Sequence, residues 1–309
     1  MKHHPSTNTP TSFLQGQELE ILGAYVRSYL GVLHHASVQL PSGSTRYIDG
    51  GSGPVIILLH GIGSKKSHFR STMKTLCAEG FRVIAPDVPG IYPDARLPAG
   101  KHNLRNLSLW LKNFTDALGI QEYALIGNSL GASFAAYHAE QYPDAVQRLA
   151  LLSMPATFNA EGEDLKTVIT TLFMELQDLE DVDELISCCF FVTPQLPRVV
   201  RKKIREDVIK HQDFVRQLLE DIRESQLQLI NKLKRIAAPT LLISGENDPI
   251  CPPEFSAWIE SQIPQAELHL LAKSKHLTFI ERHRLVIKLL SDFLQPWAKE
   301  QPAVIHQGR

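Results

Sequence analysis

An excess of charge of either sign is the first thing this sequence lacks: 32 Lys and Arg stand against 33 Asp and Glu, a formal net charge of -1. A chain so balanced has no long-range attraction for nucleic acid or for an anionic membrane surface, and neither is expected as a partner. Cysteine is scarce too. Cys77, Cys188, Cys189 and Cys251 show no metal-ligand spacing, and the adjacent pair Cys188-Cys189 cannot easily bond to itself. All four read as reduced packing residues of a cytoplasmic protein. No stretch approaches the roughly twenty apolar residues of a membrane-spanning helix. The richest, residues 13–33, is interrupted by Glu18, Glu20 and Arg27 and lacks the basic start, apolar centre and cleavage site of a secretory signal. Its Leu19, Leu22, Tyr25, Val26, Tyr29, Leu30 and Leu33 recur at helical spacing. Residues 1–34 are therefore expected to be a polar tail followed by an amphipathic helix, packed on the domain or laid on a membrane or partner. Repeats and low-complexity segments are missing as well.

What is present is the composition of a globular protein, 43% hydrophobic and 21% charged over 309 residues, enough for one large domain or a core with an insertion. Short strand-like pieces at 36–40 and 45–49 flank Pro41-Ser42-Gly43, a hairpin signal. The run Val55–Leu59 is aliphatic throughout, as in a strand buried on both faces. Strands are expected again at 82–87, 123–127, 146–152, 239–244 and 267–271, with helices at 68–78, 103–118, 131–141, 254–262 and 279–293. This alternation predicts an α/β fold, a mainly parallel central sheet with helices on both faces. Between about 155 and 236 the strands vanish and only helical periodicity remains, at 164–179, 182–191, 197–209 and 212–233. That segment reads as a helical cap inserted into a core made of 35–154 and 237–309.

The chemistry centres on Gly127-Asn128-Ser129-Leu130-Gly131, a Gly-x-Ser-x-Gly turn between a strand and a helix of small residues. Such a turn exposes a serine hydroxyl at the sheet's edge beside a helix N-terminus, and side chains at Gly127 or Gly131 would collide with its neighbours. A serine needs a base, and the base needs an orienting group. Asp248 and His276 each follow a predicted strand, in the chain order Ser, Asp, His of this type of sheet. Taken singly, Asp248 reads equally as an Asx-turn residue and His276 as a loop histidine; together at strand ends they complete a triad with Ser129. Backbone N–H groups of Leu130 and Ile62 are the candidate oxyanion donors, with His60 bracing the loop that carries Ile62.

With these residues in view, the chain resembles α/β-hydrolase fold enzymes from about His35 to the C-terminal helix. The matching elements are His60-Gly61, Asp87-x-Pro89-Gly90, the Ser129 turn, Gly245-x-x-Asp248 and His276. The cap is similar to that of the monoacylglycerol lipase and carboxylesterase branch. The resemblance implies ester hydrolysis through an acyl-enzyme, with no metal and no organic cofactor. One departure is Gly90-Ile91-Tyr92-Pro93-Asp94, where many relatives carry a Gly-x-Gly-x-Ser element. Dehalogenases and epoxide hydrolases of this fold use an aspartate nucleophile, unlike Ser129. Meta-cleavage carbon–carbon hydrolases share an elbow like Gly-Asn-Ser-Met-Gly, so Asn128 keeps them open, with Arg198 as the cap arginine; Leu277 stands where they commonly place Trp. Perhydrolase activity and a ligand-sensing, non-catalytic homologue also stay open. The expected substrate is a small ester with an apolar acyl group, a medium-chain ester or monoacylglycerol, and Phe158, Phe173, Phe190 and Phe214 are the candidate pocket residues. The basic run Arg198–Arg205 reads as a solvated face, or else as a contact for carboxylates or lipid headgroups.

Overall fold

The structure, a computed structural model, describes residues 33–89, 102–155 and 176–301. The N-terminal helix, the Gly90–Asp94 departure, the helix expected at 164–179 (apart from its last residues), Phe158 and Phe173 lie outside the described residues.

Eight strands form one sheet: β1 (His34–Leu40), β2 (Gly43–Gly51), β3 (Val55–Leu59), β4 (Arg82–Pro86), β5 (Tyr123–Asn128), β6 (Val146–Leu152), β7 (Thr240–Gly245) and β8 (Ala266–Leu271). Their spatial order is β1-β2-β4-β3-β5-β6-β7-β8. The hairpin signal yields the antiparallel β1–β2 pair, β2 also runs antiparallel to β4, and every later pairing is parallel. Because successive side chains leave a strand on opposite faces, each central strand feeds two cores. Ile57, Leu59, Leu125, Leu149, Leu151 and Leu242 point to one, under α2 (Leu104–Ala117), α3 (Leu130–Gln141) and α6 (Pro253–Gln262). Ile56, Leu58, Ile126, Leu152 and Ile243 point to the other, under α1 (Arg70–Ala78) and α8 (His283–Glu300). Unbroken apolar runs are what two-sided burial requires.

Between β6 and β7 the chain forms α4 (Leu179–Cys189) and α5 (Arg198–Ile230). Two helices were expected across 197–233; one of 33 residues is found. No Gly or Pro falls near Lys210-His211, and the His211 ring is satisfied within the helix by the Asp207 carbonyl at 2.6 Å. Leu218, Ile222 and Leu229 pack α5 on the sheet domain, while Ile204 and Val208 meet a smaller cluster of Leu176, Val182, Leu185 and Ile186. The helix expected at 279–293 instead breaks at Arg282, giving α7 (Thr278–Glu281) and then α8. There Arg282 has φ −116° and ψ 35°, and its side chain donates to the Ala272 and Lys273 carbonyls. The helix expected to begin at His68 starts as a 3-10 turn, Lys66–Phe69, before α1. No helix among the described residues is long and apolar enough to cross a membrane.

Inside the first core sits a polar exception. His138 of α3 meets the Ser108 hydroxyl of α2 at 2.9 Å and the Tyr123 hydroxyl of β5 at 2.7 Å. Burial pushes this imidazole from 6.5 down to about 3. It also pushes His60 from 6.5 down to about 4. Both rings stay neutral in the folded chain, whereas the unfolded chain takes up their protons as pH falls below about 6.5. Their contribution to stability is therefore full above pH 6.5 and shrinks as pH falls towards 4, at about 1.4 kcal/mol per pH unit for each ring. Urea unfolding between pH 6.5 and 5, above most carboxylate titration, is expected to show this slope. His138→Gln is expected to remove about half of it.

Candidate active site

The serine turn is built by steric exclusion. Ser129 lies between β5 and α3 at φ 54° and ψ −129°, a sparsely populated region that costs on the order of 1–3 kcal/mol. Its N–H donates to the Leu152 carbonyl on β6 at 2.9 Å, and its carbonyl accepts from Ala132 N–H at 2.7 Å. A Cβ on Gly127 would stand 2.2 Å from the Gly131 oxygen, and one on Gly131 would stand 2.3 Å from the Leu59 oxygen. Neither obstacle is a movable side-chain tip. Gly131→Ala is expected to destabilise the fold by about 3 kcal/mol or more through backbone displacement, read as a lowered urea midpoint.

Asp248 and His276 converge on Ser129 from two other strand ends. His276 Nε2 lies 2.8 Å from Ser129 Oγ, and His276 Nδ1 lies 2.9 Å from Asp248 Oδ2. Ser129, Asp248 and His276 are all buried. The carboxylate can only accept, so it places the imidazole proton on Nδ1 and leaves Nε2 as the acceptor for the serine O–H. Asp248 is also the turn residue that its neighbours suggest: its Oδ1 accepts from Ile250 N–H at 2.8 Å and Cys251 N–H at 3.0 Å. One oxygen sets the turn and the other faces the histidine.

Ile62 and Leu130 flank the serine. Leu130 is the first residue of α3, so its N–H has no acceptor in a preceding helical turn. Ile62 and Gly63 form the middle of a turn closed by Ser64 N–H on the Gly61 carbonyl, with Gly63 at φ 68°. His60 braces this loop. Its Nε2 accepts from Val88 N–H at 3.0 Å, which puts its proton on Nδ1, 3.1 Å from the Gly61 oxygen.

Two glycines matter for reasons invisible along the chain. A Cβ at Gly61 would stand 2.7 Å from the Ser129 Cβ, so only glycine lets the Ile62 turn come this close to Ser129. A Cβ at Gly245 would stand 2.3 Å from the Ser274 oxygen and 2.6 Å from the Lys275 oxygen, so the end of β7 lies directly against the His276 loop. That loop also meets the helical insertion: Leu277 N–H donates to the Cys189 carbonyl at 3.1 Å, and Lys275 Nζ to the Ser187 carbonyl at 2.6 Å.

A cavity of about 610 Å³ opens above the serine, bounded by Ile62, Ser129 and His276 below and by α4 and α5 above. Phe190 and Phe214 line it, joined by Leu185, Ile186, Ile204, Val208, Ile250 and Phe279, none of which stood among the candidate pocket residues. For Leu185, Ile186, Ile204 and Val208 the helical spacing on α4 and α5 was the available signal. Lys65, His68, Lys210 and His211 supply a polar edge. Arg198 is exposed at the start of α5 and is not among the lining residues. The basic run that follows it is engaged locally, Arg201 with Asp183, Lys202 with Glu206, Lys203 with Asp207 and Arg205 with the Gln177 carbonyl. All four cysteines are thiols, and burial raises Cys189 and Cys251 to about 12, which keeps them protonated at neutral pH. Among the described residues no group of three or more His, Cys, Asp or Glu side chains could hold a metal ion.

Several known proteins share this sequence pattern. Human monoacylglycerol lipase ABHD6 is 26% identical over 258 residues, covering 79% of this chain and 76% of its own. Lipase 1 of Psychrobacter immobilis is 25% identical over 256 residues, 79% of each chain. The 2-hydroxy-6-oxo-6-phenylhexa-2,4-dienoate hydrolase of Burkholderia cepacia is 26% identical, covering 80% of this chain and 89% of its own. Among solved structures, a bacterial membrane phospholipase A superimposes with a TM-score of 0.75 at 24% identity, covering 92% of both chains. The meta-cleavage product hydrolase CumD of Pseudomonas fluorescens superimposes with a TM-score of 0.70 at 23% identity, covering 85% of this chain and 98% of its own. Likeness at that identity speaks for the fold alone. Residues 54–283 match the model of the α/β hydrolase fold family, and with its eight-stranded, mostly parallel sheet the chain belongs to that family.

Proposed function

We propose that this protein is a serine hydrolase that cleaves carboxylic esters of apolar acyl groups, medium-chain esters or monoacylglycerols, through an acyl-enzyme. The observation that carries the reading is the continuous relay from Asp248 through His276 to Ser129, at 2.9 and 2.8 Å, beneath a largely apolar cavity. Ser129 Oγ attacks the acyl carbonyl while His276 Nε2 takes the hydroxyl proton. The oxyanion is met by the N–H groups of Ile62 and Leu130. Collapse of the tetrahedral intermediate breaks the ester C–O bond, and His276 passes its proton to the departing alcohol. Water then attacks the acyl-enzyme by the same route and releases the carboxylic acid. The cavity of about 610 Å³ suits an acyl chain, since binding clefts are mostly apolar with a few polar groups. The relatives named as monoacylglycerol lipases and as a lipase support ester substrates.

A chain-length series of p-nitrophenyl esters and 1-monoacylglycerols, followed by intact-mass detection of the acyl adduct, tests this reading. The expected result is multiple turnover with a medium-chain optimum and an adduct absent from Ser129→Ala. An adduct without repeated turnover would point instead to a ligand sensor.

The Burkholderia relative, together with Asn128, favours carbon–carbon cleavage of a dienoate as the second reading. Arg198, the residue which that reading used, does not line the cavity. Dienoate turnover well above ester turnover would establish the second reading over the first.

A further inference from the structure

Glu281 joins three separate pieces of chain at the rim of the site. It ends α7, five residues beyond His276. Its Oε2 accepts from the Lys275 N–H at 2.8 Å and lies 3.4 Å from the Ser274 hydroxyl. Its Oε1 accepts from the Phe191 N–H, just past α4, at 2.6 Å. One carboxylate therefore satisfies a backbone donor directly before the histidine and another in the insertion. Hydrogen bonds to an ionised acceptor are roughly twice as strong as neutral ones. On the other side of His276, Leu277 N–H is held by the Cys189 carbonyl. Below, Asn247 N–H donates to the Ser274 carbonyl at 3.0 Å, next to the close approach of Gly245.

We propose that Glu281 is a positioning residue for His276: it clamps the loop carrying the imidazole to the end of α4, so that the seating of the insertion sets the geometry of the base. The inference rests on the acyl-transfer reading, in which His276 takes the serine proton. Its physical basis is the steep dependence of such transfers on placement, where a displacement of 1 Å can lower a rate by about a hundredfold. Without the carboxylate, the Lys275 and Phe191 N–H groups turn to water and the loop gains freedom on both sides of the tie. Because Phe191 follows the cavity residue Phe190, the alternative role for Glu281 is to shape the pocket, and KM separates the two.

The test compares wild type, Glu281→Gln and Glu281→Ala on one ester, measuring kcat, KM, thermal midpoint and the rate at which a fluorophosphonate labels Ser129. The expected result for Glu281→Ala is a fall in kcat and in labelling rate of about ten- to a hundredfold, with KM within about threefold, at temperatures where the variant is fully folded. Glu281→Gln keeps an acceptor oxygen for one of the two N–H groups and is expected to fall between the two. If the alanine variant does not fold, the near-isosteric glutamine variant carries the test alone. Wild-type kcat and labelling in the folded variants would overturn the proposal, and so would a rise in KM alone. Failure of the acyl-transfer reading shows differently, as equal ester turnover in wild type and Ser129→Ala.

Discussion

Ser129→Ala is expected to lower ester turnover by a factor on the order of 10⁵–10⁶ and to abolish labelling by a fluorophosphonate, with little change in stability. The loss is large because, among the described residues, no second activated nucleophile lines the cavity. Cys189 lines the same cavity, but burial raises its thiol to about 12, so at neutral pH it is protonated and unreactive. In serine hydrolases with this triad, removing the nucleophile leaves only the modest rate enhancement supplied by binding and oxyanion contacts. Stability changes little because alanine bears nearly the same strain at φ 54°, and the backbone bonds from Ser129 N–H to Leu152 and from Ala132 N–H to Ser129 are untouched. Stopped-flow ester hydrolysis with a thermal melt on the same sample checks both halves. A residual rate within tenfold of wild type would remove Ser129 from the mechanism.

The second large effect is expected at Asp248→Asn, a fall in kcat on the order of 10⁴ in a chain that still folds. An asparagine whose Oδ1 keeps the Ile250 and Cys251 N–H bonds at 2.8 and 3.0 Å turns its amide nitrogen towards His276 Nδ1. That nitrogen is a donor, so Nδ1 must become the acceptor and the imidazole proton moves to Nε2. Nε2–H then points at Ser129 Oγ, 2.8 Å away, and can no longer take its proton. Asp248→Ala is expected to lose the turn as well as the tautomer and to melt at a lower temperature than Asp248→Asn. Comparing kcat and thermal midpoint across the two variants separates the two duties of this carboxylate.

Much of the fold and the site is legible along the chain because it depends on local rules. The runs at 55–59, 123–128 and 240–244 become strands buried on both faces, and their ends carry the loops of Ile62, Ser129 and Asp248. The Gly127–Gly131 turn has its own steric logic within five residues. Where local rules fail, a distant partner is responsible. Sequence periodicity divides α5 into two helices at 197–209 and 212–233, whereas the structure carries one helix through Lys210 and His211, its face at Val215, Leu218 and Ile222 buried against the fold. At the break between α7 and α8 the Arg282 side chain reaches carbonyls nine and ten residues earlier, which no local pattern announces. Gly61 reads as a flexible turn residue; its real constraint is the Ser129 Cβ. Glu281 carried no motif at all, since its three partners come from 191, 274 and 275.

By itself, then, the sequence determined the strand and helix alternation, the serine turn and the order of Ser129, Asp248 and His276 at strand ends, because each of these rests on periodicity or turn sterics. Only the tertiary structure decided that the three side chains meet at hydrogen-bond distance, that α4 and α5 roof the cavity, and that the loop of the base is tied to that roof through Glu281. The physical reason is range: a hydrogen bond or a steric contact acts over a few ångströms in space, and its partners here lie from six to nearly one hundred and fifty residues apart in the chain.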